Sequence, residues 1–222
     1  MKDLDLFSDF KKLYCGAISD AMDSINLSRS LSGLQPLVEG VKICGRAVTV
    51  AAEPTGEPFW PSHLFMAIEN AGAGDVLVIS TSGADRGCVI GELMSTACKT
   101  RSIEAAVVDG GVRDVESIRS LSFPVYARFV GTESPVRRLK TTAYQVPISV
   151  RGVAVEPGDI VFGDGDGLVV VPKAEAQRVL RAAVELSKVE REVKSALELG
   201  ASLNEAVKPL MEHKRKGGGT TD

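Results

Sequence analysis

The feature that most limits how this chain can fold is a series of short, continuously apolar runs, each separated from the next by a turn and a helical pattern. Val76-Leu77-Val78-Ile79-Ser80 is only five residues long and shows no polar alternation. Such a run predicts a strand covered on both faces. Gly72-Ala73-Gly74-Asp75 turns into it, after a helix that closes at Ala67-Ile68-Glu69-Asn70-Ala71. A second strand is expected from Ala105 to Val108, with a helix from about Val89 to Lys99 between the two. Strands buried on both faces need helices laid over the sheet, so the pattern predicts an α/β fold.

The flanking regions extend this reading. Residues 5–25 carry Leu6, Phe7, Phe10, Leu13, Ile18 and Met22 at helical intervals, which predicts a helix pair with Ser19 or Asp20 capping its second member. Gly45 to Ala52 and Phe123 to Arg128 read as strands, and Val115 to Leu121 as a short helix. Pro147 to Val150 and Val153 to Val155 predict a hairpin across Arg151-Gly152. Pro157-Gly158-Asp159 then turns into Ile160-Val161-Phe162, and Gly163-Asp164-Gly165-Asp166-Gly167 turns into Leu168 to Val171. The paired aspartates of that second turn suggest a calcium loop, but the later acid such a loop needs is missing, which leaves a hairpin turn. Pro172 starts a long helix to about Leu199, stopped by Gly200 and striped with Val179, Leu180, Ala183, Val184 and Val193. The expectation is a mixed sheet in a single α/β catalytic domain over residues 1–172, with a helical arm over 173–212. Residues 213–222, basic and then glycine-rich, are expected to be disordered.

Composition narrows the function classes. A net charge of −3 gives no positive field for nucleic acid. No apolar run approaches the ~18 residues a membrane span needs, and none follows the first charges as a secretion signal would. Cys15, Cys44, Cys88 and Cys98 form no CxxC pair and read as free thiols, in keeping with a cytoplasmic protein. His63 and His213 are the only histidines, so a His-rich metal site is excluded and a Ser-His-Asp triad would need one of them. His63 reads as packed or capping. A bound metal would need oxygen ligands, which favours Mg²⁺ or Mn²⁺. Ser82 to Gly87 matches neither the phosphate loop nor the dinucleotide fingerprint.

Chemistry concentrates in Val107-Val108-Asp109-Gly110-Gly111-Val112-Arg113-Asp114. An apolar run ends at two glycines, which would let backbone approach a ligand, and then delivers a guanidinium fork beside a carboxylate. An anionic oxo-acid with a divalent cation suits that pair. Asp114 also stands where it could cap the helix that begins at Val115. Glu92, in the first turn of the helix expected from Val89, could equally be an acid that complements the helix dipole.

Several segments in order carry a family likeness. These are Gly91-Glu92-Leu93-Met94, the 107–114 stretch, Phe123 to Arg128, Pro157-Gly158-Asp159, and Asp164 through Pro172. Over roughly residues 15–200 the chain resembles the regulator of ribonuclease E activity A family, and more closely its 4-hydroxy-4-methyl-2-oxoglutarate aldolase branch, which also decarboxylates oxaloacetate. The resemblance implies a layered swivelling β/β/α-type domain assembled as trimers or hexamers with sites between subunits. It implies an acid, 20 intervening positions, then Arg-Asp; Glu92 and Arg113 have that separation (113 − 92 − 1 = 20), with Asp114 following. Glu92 departs from the aspartate usual there. On this likeness Asp114 ligates the metal, Glu92 holds a metal water, and Arg113 binds a pyruvate-like unit with Gly91 and the amides of Leu93 and Met94. Glu190, or Glu192 in its place, reaches a neighbour's site. The other branch of the family implies a non-catalytic, protein-binding regulator, and Asp114 favours the enzyme. A methyltransferase label attached to the family finds no nucleoside loop here.

Overall fold

In a computed structural model, which describes residues 3–217, the chain begins with helices α1 (Asp3–Lys11) and α2 (Cys15–Asp23). Two-residue strands β1 (Ser30–Leu31) and β2 (Gln35–Pro36) lead to the long strand β3 (Ile43–Pro54). Then follow α3 (Ser62–Asn70), β4 (Val76–Ser80), β5 (Cys88–Ile90), α4 (Glu92–Thr100), β6 (Ala105–Val112), α5 (Val115–Leu121) and β7 (Val125–Val130). The β-rich section comprises β8 (Leu139–Tyr144), β9 (Ile148–Val150), β10 (Val153–Val155), β11 (Ile160–Asp164) and β12 (Gly167–Val171). A 3-10 turn at Lys173–Glu175 opens the helical end, α6 (Ala176–Glu198), α7 (Leu203–Ala206) and α8 (Lys208–Gly217).

The sheet is mixed and hinges on β3. Its first residues pair antiparallel with β11, which pairs antiparallel with β12 and through it with β1. From Ala47 onward β3 runs parallel to β4, and β4, β6 and β7 continue the parallel series. β8 lies antiparallel on the other side of that second half of β3.

Alternation of side chains along the strands builds three cores. In the parallel half, Val48, Val50, Leu77, Ile79, Ala106 and Val108 join Leu64, Ile68, Cys98 and Ile118 beneath α3, α4 and α5. In the antiparallel half, Ile160, Phe162, Val169 and Val171 pack on α1, α2 and α6. The intervening residues Ala47, Val76, Val78, Val107, Val161 and Val170 meet with Ile148, Val150 and Val155 of the hairpin between the halves. Every residue of β4 and β6 is therefore buried, the reason those runs lack polar alternation. Truncating one such side chain to alanine costs about 2–5 kcal/mol for a Leu or Ile.

Several boundaries differ from expectation. The second helix starts at Cys15, so Ser19 and Asp20 lie inside it and cap nothing. Cys88-Val89-Ile90 is strand rather than helix, because it pairs in parallel with the end of β6. That moves the start of α4 to Glu92. Residues 213–217 continue α8, which Lys214 ties to Asp20 of α2 through an ion pair of 2.6 Å. The rest of the expected disordered tail lies outside the described residues. All four cysteines are free and buried. No helix among the described residues is long and apolar enough to cross a membrane.

Candidate active site

The site lies where β5 and β6, paired side by side, run into α4 and α5. Ligands of open α/β sheets gather at this edge, beyond the carboxyl ends of parallel strands. The Arg113 amide donates to the Ile90 carbonyl at 3.0 Å, which fixes the β6–α5 turn against the β5–α4 turn.

Asp114 occupies the position before α5 but does not cap it. Its backbone is left-handed (φ 58°, ψ 41°), whereas a capping residue is normally extended, and its side chain accepts no hydrogen bond from its own helix. Its Oδ2 accepts from the Glu92 amide at 3.1 Å, across the turn at the start of α4. Arg113 Nε stands 3.7 Å from the same oxygen, and both side chains are 42% exposed. Oδ1 has no hydrogen-bond partner among the described residues. A left-handed non-glycine residue costs about 1–3 kcal/mol, and such strain persists where the surroundings hold it.

Gly91 does that holding. A Cβ there would stand 2.5 Å from Asp114 Oδ2 and 3.2 Å from Arg113 Cγ, so only glycine admits the carboxylate to the helix start. The glycines of the 107–114 motif serve another purpose than the expected one. Strand β6 does not stop at them. A Cβ on Gly110 would strike Thr81 Cγ2 at 2.5 Å, and one on Gly111 would strike Phe129 Cε2 at 2.5 Å. They allow close packing of protein on protein, and the glycine that serves the site is Gly91.

Arg113, Asp114, Gly91, Leu93 and Met94 line one cavity of about 240 Å³. Glu92 is not among its lining residues; it is exposed, and its backbone N–H is what meets Asp114. The amides of Leu93 and Met94 fall in the first turn of α4, where no intrahelical acceptor exists. The opposite wall escaped the sequence reading. It consists of Phe59, Trp60, Pro61, Leu64 and Phe65 with Ser134, Pro135, Val136, Leu139 and Thr141. The available signal was the Phe59-Trp60-Pro61 cluster, which contains the single tryptophan of the chain. Cys88 also lines the cavity, and burial pushes its thiol above the usual range, which suits packing rather than nucleophilic attack. His63 is packed, with Nδ1 2.9 Å from the Thr141 carbonyl oxygen.

Among the described residues, no group of three or more His, Cys, Asp or Glu is placed to hold a metal. A hard cation bound through one or two carboxylates, with water and substrate completing its shell, needs no such group. The half-exposed Asp114 with its free Oδ1, next to an arginine, fits that mode. Glu190 does not line the cavity of its own chain; its carboxylate accepts from the Tyr14 hydroxyl.

A mixed, layered α/β domain with an Arg-Asp pair at the strand ends defines a class of small-ligand proteins. The chain belongs to the RraA-like family (Aldolase/RraA), whose model matches residues 16–170. It is 33% identical to Protein DlpA of Legionella pneumophila over 85% of this chain, a match that spans only 31% of that protein's length. It is also 33% identical, over 82% of this chain and 83% of the other, to a Halalkalibacterium halodurans protein named "Putative 4-hydroxy-4-methyl-2-oxoglutarate aldolase". Among solved structures, an uncharacterized protein from Pseudomonas syringae pv. tomato superposes with a TM-score of 0.83 at 29% identity, covering 91% of this chain and 96% of the other. Streptomyces coelicolor RraAS2, described as an unusual member of the RNase ES inhibitor RraA protein family, gives a TM-score of 0.77 at 30% identity, covering 84% and 94%.

Proposed function

We propose that this protein is a divalent-metal-dependent lyase that breaks the C3–C4 bond of a 2-oxo acid and releases pyruvate. The observation that carries the reading is Asp114: a strained, half-exposed carboxylate that leaves its own helix uncapped and keeps one oxygen free beside Arg113. Mg²⁺ or Mn²⁺, held by Asp114 and through a water by Glu92, supplies positive charge at the substrate oxygens. Arg113 forks onto the substrate carboxylate and keto oxygen. The amides of Leu93 and Met94, with the positive end of α4, favour the same anion, and Gly91 keeps the approach open.

Cleavage leaves the C3–C4 electron pair on C3 as the enolate of pyruvate, and Arg113 stabilises the charge on its oxygen. Where C4 carries a hydroxyl the reaction is a retro-aldol cleavage; where C4 is a carboxylate it is a decarboxylation. No lysine Schiff base enters. Glu190, or Glu192 in its place, completes the site from a second copy in a homotrimer or hexamer, and the protein works in the cytoplasm.

The test is pyruvate release from oxaloacetate and a panel of 4-hydroxy-2-oxo acids, with Mg²⁺ or with EDTA, for wild type and Asp114→Ala. Turnover should require the metal and fall about 10²–10³-fold in the variant, the usual effect of removing one preorganised charge-stabilising group. Folded, Mg²⁺-loaded protein that releases no pyruvate from any member would sink the reading. The likeness to RraAS2 favours a second reading, a non-catalytic regulator that binds a ribonuclease. On that reading Asp114→Ala leaves partner binding unchanged.

A further inference from the structure

The cavity has two chemically different ends. Arg113 and Asp114 stand at one; Phe59, Trp60, Phe65, Leu93, Val136 and Leu139 form most of the other. Trp60 and Phe65 are already packed edge to face, with ring centroids 5.3 Å apart and planes at 85°. Arg113 is the one cation among the residues that line the cavity. The arginines adjoining its rim are engaged elsewhere. Arg86 and Arg138 both bind Glu133, at 2.5 Å and 3.2 Å. Arg138 also donates to the carbonyls of Ser134 and Val136.

Taking the lyase reading as its basis, we infer that the substrate is a 4-hydroxy-2-oxo acid whose C4 substituent is apolar, an aryl or branched alkyl group, rather than a second carboxylate. A dicarboxylic 2-oxo acid held by Arg113 would press its far carboxylate into the aromatic wall. A desolvated carboxylate without a cation partner is strongly disfavoured, while a ring there gains apolar contact. Size agrees. A cavity of about 150 Å³ holds benzene, so 240 Å³ takes a ring together with a three-carbon oxo-acid unit. In the reaction the C3–C4 bond breaks with its electron pair on C3, and the C4 hydroxyl loses its proton as C4 becomes the carbonyl of a departing aldehyde or ketone. A proton taken up at C3 then completes pyruvate.

Trp60 makes the test direct, because it is the only tryptophan in the chain and stands on the cavity wall. Its fluorescence is titrated in Mg²⁺ buffer with two uncleavable ligands, 2-oxo-4-phenylbutanoate and 2-oxoglutarate. Pyruvate release is measured in parallel from 4-hydroxy-2-oxo-4-phenylbutanoate and 4-hydroxy-4-methyl-2-oxoglutarate. The phenyl ligand should bind at least tenfold tighter and its hydroxylated counterpart show the higher kcat/KM. Leu93→Lys, at a side chain already 77% exposed, should narrow or reverse the preference by supplying a cation to the second carboxylate. Equal or tighter binding of 2-oxoglutarate, with metal-dependent turnover of the dicarboxylate at least as fast, overturns the inference and leaves the lyase reading standing. Binding of neither ligand and cleavage of neither substrate overturns both.

Discussion

Aspartates at strand ends separate the two halves of this molecule. In the antiparallel half, Asp164 has both oxygens engaged by backbone, Oδ2 by the Cys15 amide at 2.8 Å and Oδ1 by the Asp166 amide at 3.0 Å. Asp159 likewise accepts from the amides of Lys173 and Glu156, each at 3.0 Å. Both are buried, and they stitch α2 and the start of the C-terminal helical region to the sheet. In the parallel half, Asp114 makes one such bond and leaves its other oxygen exposed on a strained backbone. A carboxylate surrounded by amides on both oxygens is holding the fold. One that is half satisfied at a cavity is available for a ligand.

That contrast breaks most sharply in paired variants. Asp114→Asn should leave unfolding in urea within about 1 kcal/mol of wild type, because the side chain is half in solvent, while lyase turnover drops by two or more orders of magnitude. Asp164→Ala should do the reverse. It strands two buried amide donors at about 1–3 kcal/mol each, so stability falls by about 2–4 kcal/mol. Turnover by the fraction that remains folded should be near normal. A large stability loss in the first variant would reassign Asp114 to the structural class.

The glycines sharpen the comparison one step down. Gly91→Ala puts a Cβ 2.5 Å from the Asp114 carboxylate, at a half-exposed side chain that can swing away. Turnover should fall about tenfold or more with a stability change of about 1 kcal/mol or less. Gly110→Ala meets Thr81 in the interior, where little can yield. Overpacking there should cost about 1–3 kcal/mol. Urea midpoints and specific activity on the same two proteins decide it; equal stability losses would mean that Gly91 is a packing glycine like Gly110.

What was legible in the sequence divides along physical lines. β4 was readable to the residue, because a five-residue apolar run between turns has one comfortable conformation. The β9–β10 hairpin was readable too, since Arg151 and Gly152 both take positive φ (50° and 82°), the two-residue turn that twisted strands favour. Cys88-Val89-Ile90 was not, because three apolar residues fit either period and only pairing with β6 decides. Strand β8 and the two-residue strands β1 and β2 likewise exist through their partners. At the site, Arg113 and Asp114 came from one contiguous motif. The aromatic wall is assembled from residues 59–65 and 134–141, separated by most of the parallel half, and no local pattern links them.

The smallest expected effect concerns Glu190, which belongs by its chain position to the antiparallel half and by proposal to a neighbour's site. Burial, and then the hydrogen bond to Glu190, push the Tyr14 hydroxyl up to about 12. The neutral phenol is the favoured folded form. Its contribution is therefore fully present below pH 10, the ordinary value, and is lost as pH rises through about 12. Tyr14 is 41% exposed, so solvent screening limits the effect to about 0.5 kcal/mol. Urea midpoints at pH 8 and pH 11 should fall further for wild type than for Tyr14→Phe; the difference between the two proteins cancels the other tyrosines and the buried thiols that titrate in the same range. A carboxylate used only to dock α6 on α2 would leave turnover unchanged in Tyr14→Phe. One that also serves a second copy's cavity would change kcat in that variant while KM for the 2-oxo acid stays constant, which places Glu190 on the functional side of the comparison.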